Sequence, residues 1–369
     1  GPAGFHIVNI LLHAVASFLI FLTALGLKNR RTAFISSLLF LFLPIHVEAV
    51  TSIVGRGELL MFLFLALAFY SIQKRYYKIA ASMFLFSVLS KETGIAFIPV
   101  FLFFEFARRK ESLGSLFKKT LYFVPPLVIY AAFRYNALGP DYFITTNAYS
   151  FFNPIAVMDF WPGLWAAFNV LYLYVQKTIF PTYFSSDYSY NQIAAVRNLF
   201  DSWQAVAGAA IFAAAICASI AGRKNLVGLG AVIFLFPYLV ISNLFVKTGT
   251  IMAERLMYMP SLGLIVIVAV LLNYLLEKGP VVKRLIYTGL IVILGIYGLQ
   301  VVKGNTLWKN EKTLFENAYE HAPNSVVNIT NMAGILFKEG KNKEALEKIE
   351  TALGIEPKNG PTLHLGGQI

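Results

Sequence analysis

Arg56, Lys91 and Arg255 stand far apart in the chain, yet each has a carboxylate within two positions: Glu58, Glu92 and Glu254. They belong to spaced polar clusters that interrupt long apolar runs. These are His46-Val47-Glu48 leading to Gly55-Arg56-Gly57-Glu58, Ser90-Lys91-Glu92, Ser186-Asp187-Tyr188-Ser189 and Glu254-Arg255-Leu256-Met257-Tyr258. Ionisable groups beside hydrocarbon are costly, so a face that gathers them is a functional-site hypothesis by default. Arginine offers a planar fork matched to phosphate oxygens, and lysine a point charge. A bland reading stands beside this one. Charges at the ends of membrane spans often pair with each other and hold the ends together.

The elements that must position these groups are hydrophobic spans. Of 369 residues, 57% are hydrophobic and only 14% charged, where a soluble domain carries roughly 25% charged. The mean hydropathy is +0.65. Apolar runs of near-span length recur at 5–27, 32–45, 58–73, 79–90, 94–107, 119–135, 203–221, 226–245, 256–276 and 285–302. They do not alternate as barrel strands would. The composition predicts an all-α, polytopic helical membrane protein with about ten spans. The single cysteine, Cys217, lies inside a run and excludes an internal disulfide.

A net charge of +12 suggests nucleic acid until its placement is considered. The polar breaks at 28–31, 74–78, 108–119, 223–224 and 278–284 hold sixteen Lys and Arg; the opposite set of loops holds seven. Basic bias of this kind marks cytoplasmic loops. The clusters named above, and both chain ends, then lie on the extracytoplasmic side, and nucleic acid is not expected as a partner. Residues 136–202 must begin and end outside for the bias to hold. Within them, 155–180 is apolar and aromatic, and is expected to form an interfacial or re-entrant helix lying over the outer mouth. An ordinary span there is the rival reading.

Residues 303–369 change character, with eight lysines balanced by eight acids. Val326–Asn359 reads as one 34-residue helix-turn-helix repeat, with Ala333, Leu336, Ala345, Ile349 and Ala352 as its seam, Gly340 at the turn and Pro357 closing it. That spacing fits a tetratricopeptide (TPR) repeat. The expected organisation is a transmembrane domain over 1–302, including the 136–202 loop, and a truncated TPR segment over 303–369.

Taken in order, the clusters resemble a known family. Phe5-His6 with Asn9 and His13, His46 and Glu48 through Arg56 and Glu58, Ser90-Lys91-Glu92 with Gly94, Asn153-Pro154 leading to Ser186-Asp187-Tyr188-Ser189, and Ala253-Glu254-Arg255 through Tyr258, Pro260 and Gly263 follow one another before the repeats. The chain is similar in this to the transmembrane and TPR repeat-containing O-mannosyltransferases of the GT-C superfamily and their prokaryotic relatives. The resemblance implies an inverting glycosyltransferase in the endoplasmic-reticulum membrane or a prokaryotic cytoplasmic membrane. Its donor would be a polyprenyl- or dolichyl-phosphate sugar, mannose being expected, and its acceptor a protein hydroxyl presented by the TPR segment. No cofactor or metal is implied. In that family the first extracytoplasmic loop carries a key acidic residue or pair. The first span here corresponds to the family's second, so the chain is expected to be a fragment.

Inversion by direct attack requires a base for the acceptor's proton and cations for the departing phosphate. On this reading Glu48, Glu58 and Asp187 are the candidate catalytic acids, and Arg56, Lys91 and Arg255 hold the donor phosphate. His46, Glu92, Tyr188, Glu254 and Tyr258 bind substrate or support the site. A metal reading would need His46, Glu48 and Glu58 to converge. A reading from another class is a membrane transporter or lipid-linked-sugar flippase with a docking arm. Such proteins place charges near the membrane midplane in two similar halves, and neither feature is visible here.

Overall fold

The computed structural model of the chain describes residues 2–139, 152–193 and 196–369. Part of the 136–202 loop, residues 140–151 and 194–195, lies outside the described residues. Among the described residues there is no strand. The helices are α1 (Pro2–Leu25), α2 (Arg30–Phe42), α3 (Val47–Thr51), α4 (Arg56–Gln73), α5 (Tyr77–Ser90), α6 (Phe97–Phe103), α7 (Leu113–Thr120), α8 (Val124–Leu138) and α9 (Phe160–Ile179). They continue as α10 (Trp203–Ala221), α11 (Leu226–Ile241), α12 (Tyr258–Leu275), α13 (Pro280–Leu307), α14 (Glu311–His321), α15 (Val326–Lys338), α16 (Asn342–Ile355) and α17 (Gly360–Gln368).

The all-α, polytopic class expected from composition is what the chain adopts. Six helices among the described residues are long and apolar enough to cross a membrane: Ala3–Leu25, Arg56–Gln73, Leu113–Leu138, Trp203–Ala221, Glu254–Leu275 and Pro280–Leu307. α1 shows why. Its 24 residues hold no Asp, Glu, Lys or Arg, and at 1.5 Å per residue it exceeds a hydrocarbon core of about 30 Å. α2 joined to the turn after it makes a seventh if counted as one broken span. The runs at 79–90, 94–107 and 226–245 form the shorter helices α5, α6 and α11. α9 has 20 residues but is not apolar enough to join the six.

Local chemistry sets the boundaries that matter for the site. Asn29 caps α2, its side chain accepting the Thr32 N–H at 2.9 Å. The helix stops at Leu43 because Pro44 disfavours helical geometry in the residue before it. The chain bends by 51° and continues as a tight turn, Pro44–His46, into α3. Gly55 then closes the α3–α4 turn, where its backbone abuts Ala49 too closely for any side chain.

The chain divides into two compact units. One comprises 1–145, 210–241 and 255–301; the other comprises 146–209, 242–254 and 302–369. In the first, α4 packs on α5, α1 on α2 and α4, and α11 on α12. The α11–α12 contact is very close: a Cβ on Gly230 would lie 2.8 Å from the Gly263 carbonyl oxygen. Small residues permit such backbone approach between membrane helices. In the second unit, α14 to α17 stack in sequence order. Ala333, Leu336, Ala345, Ile349 and Ala352 are buried between them, as their spacing predicts. Gly340 takes a φ of +76° at the turn, a conformation glycine adopts without strain.

Candidate functional site

The first unit joins the candidate charges across elements rather than along them. Glu48, on the one-turn helix α3, accepts the Arg255 backbone N–H at 2.9 Å and forms an ion pair with the Arg255 guanidinium. Glu58, in the first turn of α4, forms an ion pair with Lys91 at the end of α5. Glu92 lies near Arg134, at 3.4 Å, and its side chain is exposed. Glu58 and Lys91 are therefore partners of each other rather than of their neighbours Arg56 and Glu92. Helix geometry explains this: residues one or two apart point to different sides, so Arg56 and Glu58 cannot face each other.

The two buried pairs form one electrostatic group, since Glu58 lies within the fields of Lys91, Arg255 and Glu48. They are also lopsided. Both carboxylates are buried, with 4% of the side chain exposed, whereas Lys91 keeps 23% and Arg255 33%. The acids anchor the group and the cations face outward.

Arg56 is tied differently. Its Nε donates to Asn9 Oδ1 at 2.9 Å, its Nη2 donates to the Phe5 carbonyl at 3.1 Å, and the guanidinium lies over the Phe5 ring. Asn9 in turn donates to the carbonyls of Val50 and Ser52, both at 3.1 Å. Asn9 of α1 thereby fastens the α3–α4 turn, as polar side chains between membrane helices often do.

His46 is buried. Its Nδ1 donates to the Phe40 carbonyl at 3.0 Å, which leaves Nε2 to accept from the Ser261 hydroxyl at 2.9 Å. His13 donates through Nε2 to the Leu41 carbonyl and accepts from the Tyr258 hydroxyl at 2.7 Å. These rings pack against Phe40 and one another as a brace between α1, α2 and α12. His46 and Tyr258 are thus part of the support rather than open to a substrate. Among the described residues no three His, Cys, Asp or Glu side chains converge as metal ligands.

The remaining candidates belong to the second unit. Glu254 is buried and accepts from the Tyr188 hydroxyl and from the Ser185 backbone N–H, the latter at 3.3 Å; Lys177 lies 3.8 Å away. Burial, with the Glu254 charge, pushes the Tyr188 phenol well above its usual range. Burial also lowers the Lys177 ammonium to about 8, against the pull of Glu254. Lys177 is the site residue that sequence reasoning missed. It read only as one basic residue on an aromatic helix, and its partner lies far along the chain.

Asp187 is fully engaged. Its carboxylate accepts the Ser189 N–H and hydroxyl, both at 2.8 Å, and the Ser325 hydroxyl at 2.7 Å. Ser325 caps α15, so a negative charge meets the positive end of that helix. Asn317 and Asn328 donate to the carbonyls of Phe184 and Asp187, and the Val326 N–H to that of Tyr190. The whole 184–190 stretch is bound to α14 and α15. Asp187→Ala should loosen it, with a stability loss of about 2 kcal/mol, the scale for losing hydrogen bonds to a charged acceptor. Faster amide exchange at 184–190 and at the start of α15 would show this; unchanged exchange would refute it.

Similarity to known proteins runs along nearly the whole chain. It is 28% identical to protein O-mannosyl-transferase TMTC1 of Homo sapiens, over 98% of this chain and 47% of that protein. It is 28% identical to TMTC4 of Homo sapiens, over 94% and 54%. It is 24% identical to protein O-mannosyl-transferase F38B6.6 of Caenorhabditis elegans, over 96% and 51%. The chain is thus similar, along nearly its whole length, to curated TMTC protein O-mannosyl-transferases. The resemblance carried by the ordered motifs is borne out, and the chain spans about half the length of the curated relatives it matches. No family model and no solved structure matches it.

Proposed function

We propose that this chain is the membrane part of a protein O-mannosyltransferase, moving mannose from a polyprenyl-phosphate donor to an extracytoplasmic protein hydroxyl with inversion. The observation that carries the donor assignment is the lopsided pairing of Glu48 with Arg255 and Glu58 with Lys91. Buried carboxylates hold two cations with their open sides outward, which suits a departing phosphate. The acceptor oxygen attacks the anomeric carbon, the bond from that carbon to the phosphate oxygen breaks, and the acceptor's proton passes to a base. In this reading Glu48 and Glu58 are positioning residues that act through the cations, Arg56 joins the clamp from the α4 terminus, and Asp187 fixes its loop. The helical-repeat segment presents the acceptor.

The test is transfer by the purified full-length protein, in membranes, from a short-chain polyprenyl-phosphomannose to serine- and threonine-containing peptides. Mannosylated peptide with inverted anomeric configuration is the expected product. Retained configuration, or no transfer under conditions where the protein is folded, would refute the reading.

The side of the membrane is testable separately. In intact cells, a membrane-impermeant thiol reagent should label a cysteine placed at Lys341 and spare one placed at Arg109. The opposite pattern would reverse the proposed topology.

A further inference from the structure

The second unit holds a cavity of about 310 Å³ bounded by α9, the loop after it and the start of α10. That is within the size range of small-molecule sites. Its polar lining is mostly neutral apart from Lys177 and Asp201, and the Asp201 carboxylate already accepts the Asn198 N–H at 2.9 Å. Three side-chain amides, Asn169, Gln192 and Gln204, face it. Gln192 Oε1 accepts the Asn324 N–H at 3.1 Å, and its NH₂ has no protein partner among the described residues. The Ser202 hydroxyl lies 3.1 Å from Asn169 Oδ1 and 2.7 Å from Gln204 Oε1. One hydroxyl has one proton to give, so one amide receives it and the other can turn its NH₂ to the serine's lone pair. Either way the cavity keeps unspent donors and an unspent acceptor.

The cation in the wall is already committed. Lys177 Nζ donates to the Tyr183 carbonyl at 3.1 Å, lies 3.5 Å from the centre of the Tyr183 ring and faces Glu254. Little positive charge is left for an anion. Leu173 and Met252 supply an apolar wall. Neutral groups that both donate and accept, beside an apolar surface, match a ligand with hydroxyls on its edge and C–H bonds on its face.

We propose that this cavity is a binding site for a neutral hexose. The proposal concerns binding alone and does not depend on the transfer reading. The wall that carries Gln192 is held by the repeat helices, since the Asn191 N–H donates to the Asn324 carbonyl at 2.9 Å, just before α15. The turn before α15 therefore braces this wall from behind without lining the cavity.

Saturation-transfer NMR on the full chain in micelles, with methyl α-mannopyranoside as probe, tests this. Saturable binding is expected, weakened roughly tenfold in Gln192→Leu/Gln204→Leu, as two neutral hydrogen bonds are lost. The single variant Gln204→Glu, which keeps the shape, should also weaken binding if the double variant fails to fold. Displacement by an O-mannosyl serine peptide would assign the pocket to a sugar already on an acceptor. Displacement by short-chain polyprenyl-phosphomannose would assign it to the sugar of a donor. The proposal is overturned by absence of saturable binding, by displacement with inorganic phosphate, or by folded variants that bind as tightly as the parent.

Discussion

Replacing Arg255 by alanine is expected to lower mannosyl transfer by about 10²- to 10³-fold, the usual scale for removing one preorganised charge-stabilising group. The substitution leaves the Glu48 carboxylate buried with the backbone N–H of residue 255 still in place, so the helices keep one of their ties. Arg255→Lys should restore only part of the loss, because a point charge replaces the fork. Glu48→Gln separates the roles. An amide oxygen can still accept the backbone N–H but no longer holds the guanidinium by charge. If Glu48 acts through Arg255, turnover falls while the acidic limb of the pH–rate profile stays. If it is the base itself, that limb disappears, and the positioning role is wrong. Full activity in a folded Arg255→Ala variant would remove the clamp altogether.

A second large effect is expected in the fold. Gly263→Val should destabilise the first unit by about 3 kcal/mol, because the branched side chain has no room where α12 meets α11. For a protein of this size that is a fall of roughly 4 °C in melting temperature. Gly295→Ala, on α13, is the control: nothing lies within 4 Å of the added carbon, and alanine favours helix, so stability should hold or rise. Equal melting temperatures for the two variants would show that the close contact does not matter.

Much of this architecture could be read from residue types. The uncharged run of α1, the proline after α2 and the caps at Asn29, Ser325 and Asn359 are local signals, and local signals fix helices. The seam of the α15–α16 pair follows from helical spacing alone. What local pattern could not supply was partnership. Glu48 meets Arg255 across 207 positions, and Lys177 meets Glu254 across 77. His46 illustrates a different failure. A histidine just past a span looks available for chemistry, yet the 51° bend after Leu43 folds it inward onto Ser261. The bend could be suspected from Pro44, but its direction is a property of packing.

The binding of residues 184–190 by α14 and α15 bears on how such proteins can be taken apart. A cut after α13 looks natural in the sequence, where charge and hydropathy change. That cut would strip Asp187 of Ser325, Phe184 of Asn317 and Tyr190 of the Val326 N–H in one stroke. Chimeras that exchange repeat arrays between relatives should therefore keep the host's own α14 and α15 and place the junction at Gly340. The first repeat helices belong structurally to the loop they clasp, and an exchangeable segment begins only beyond them.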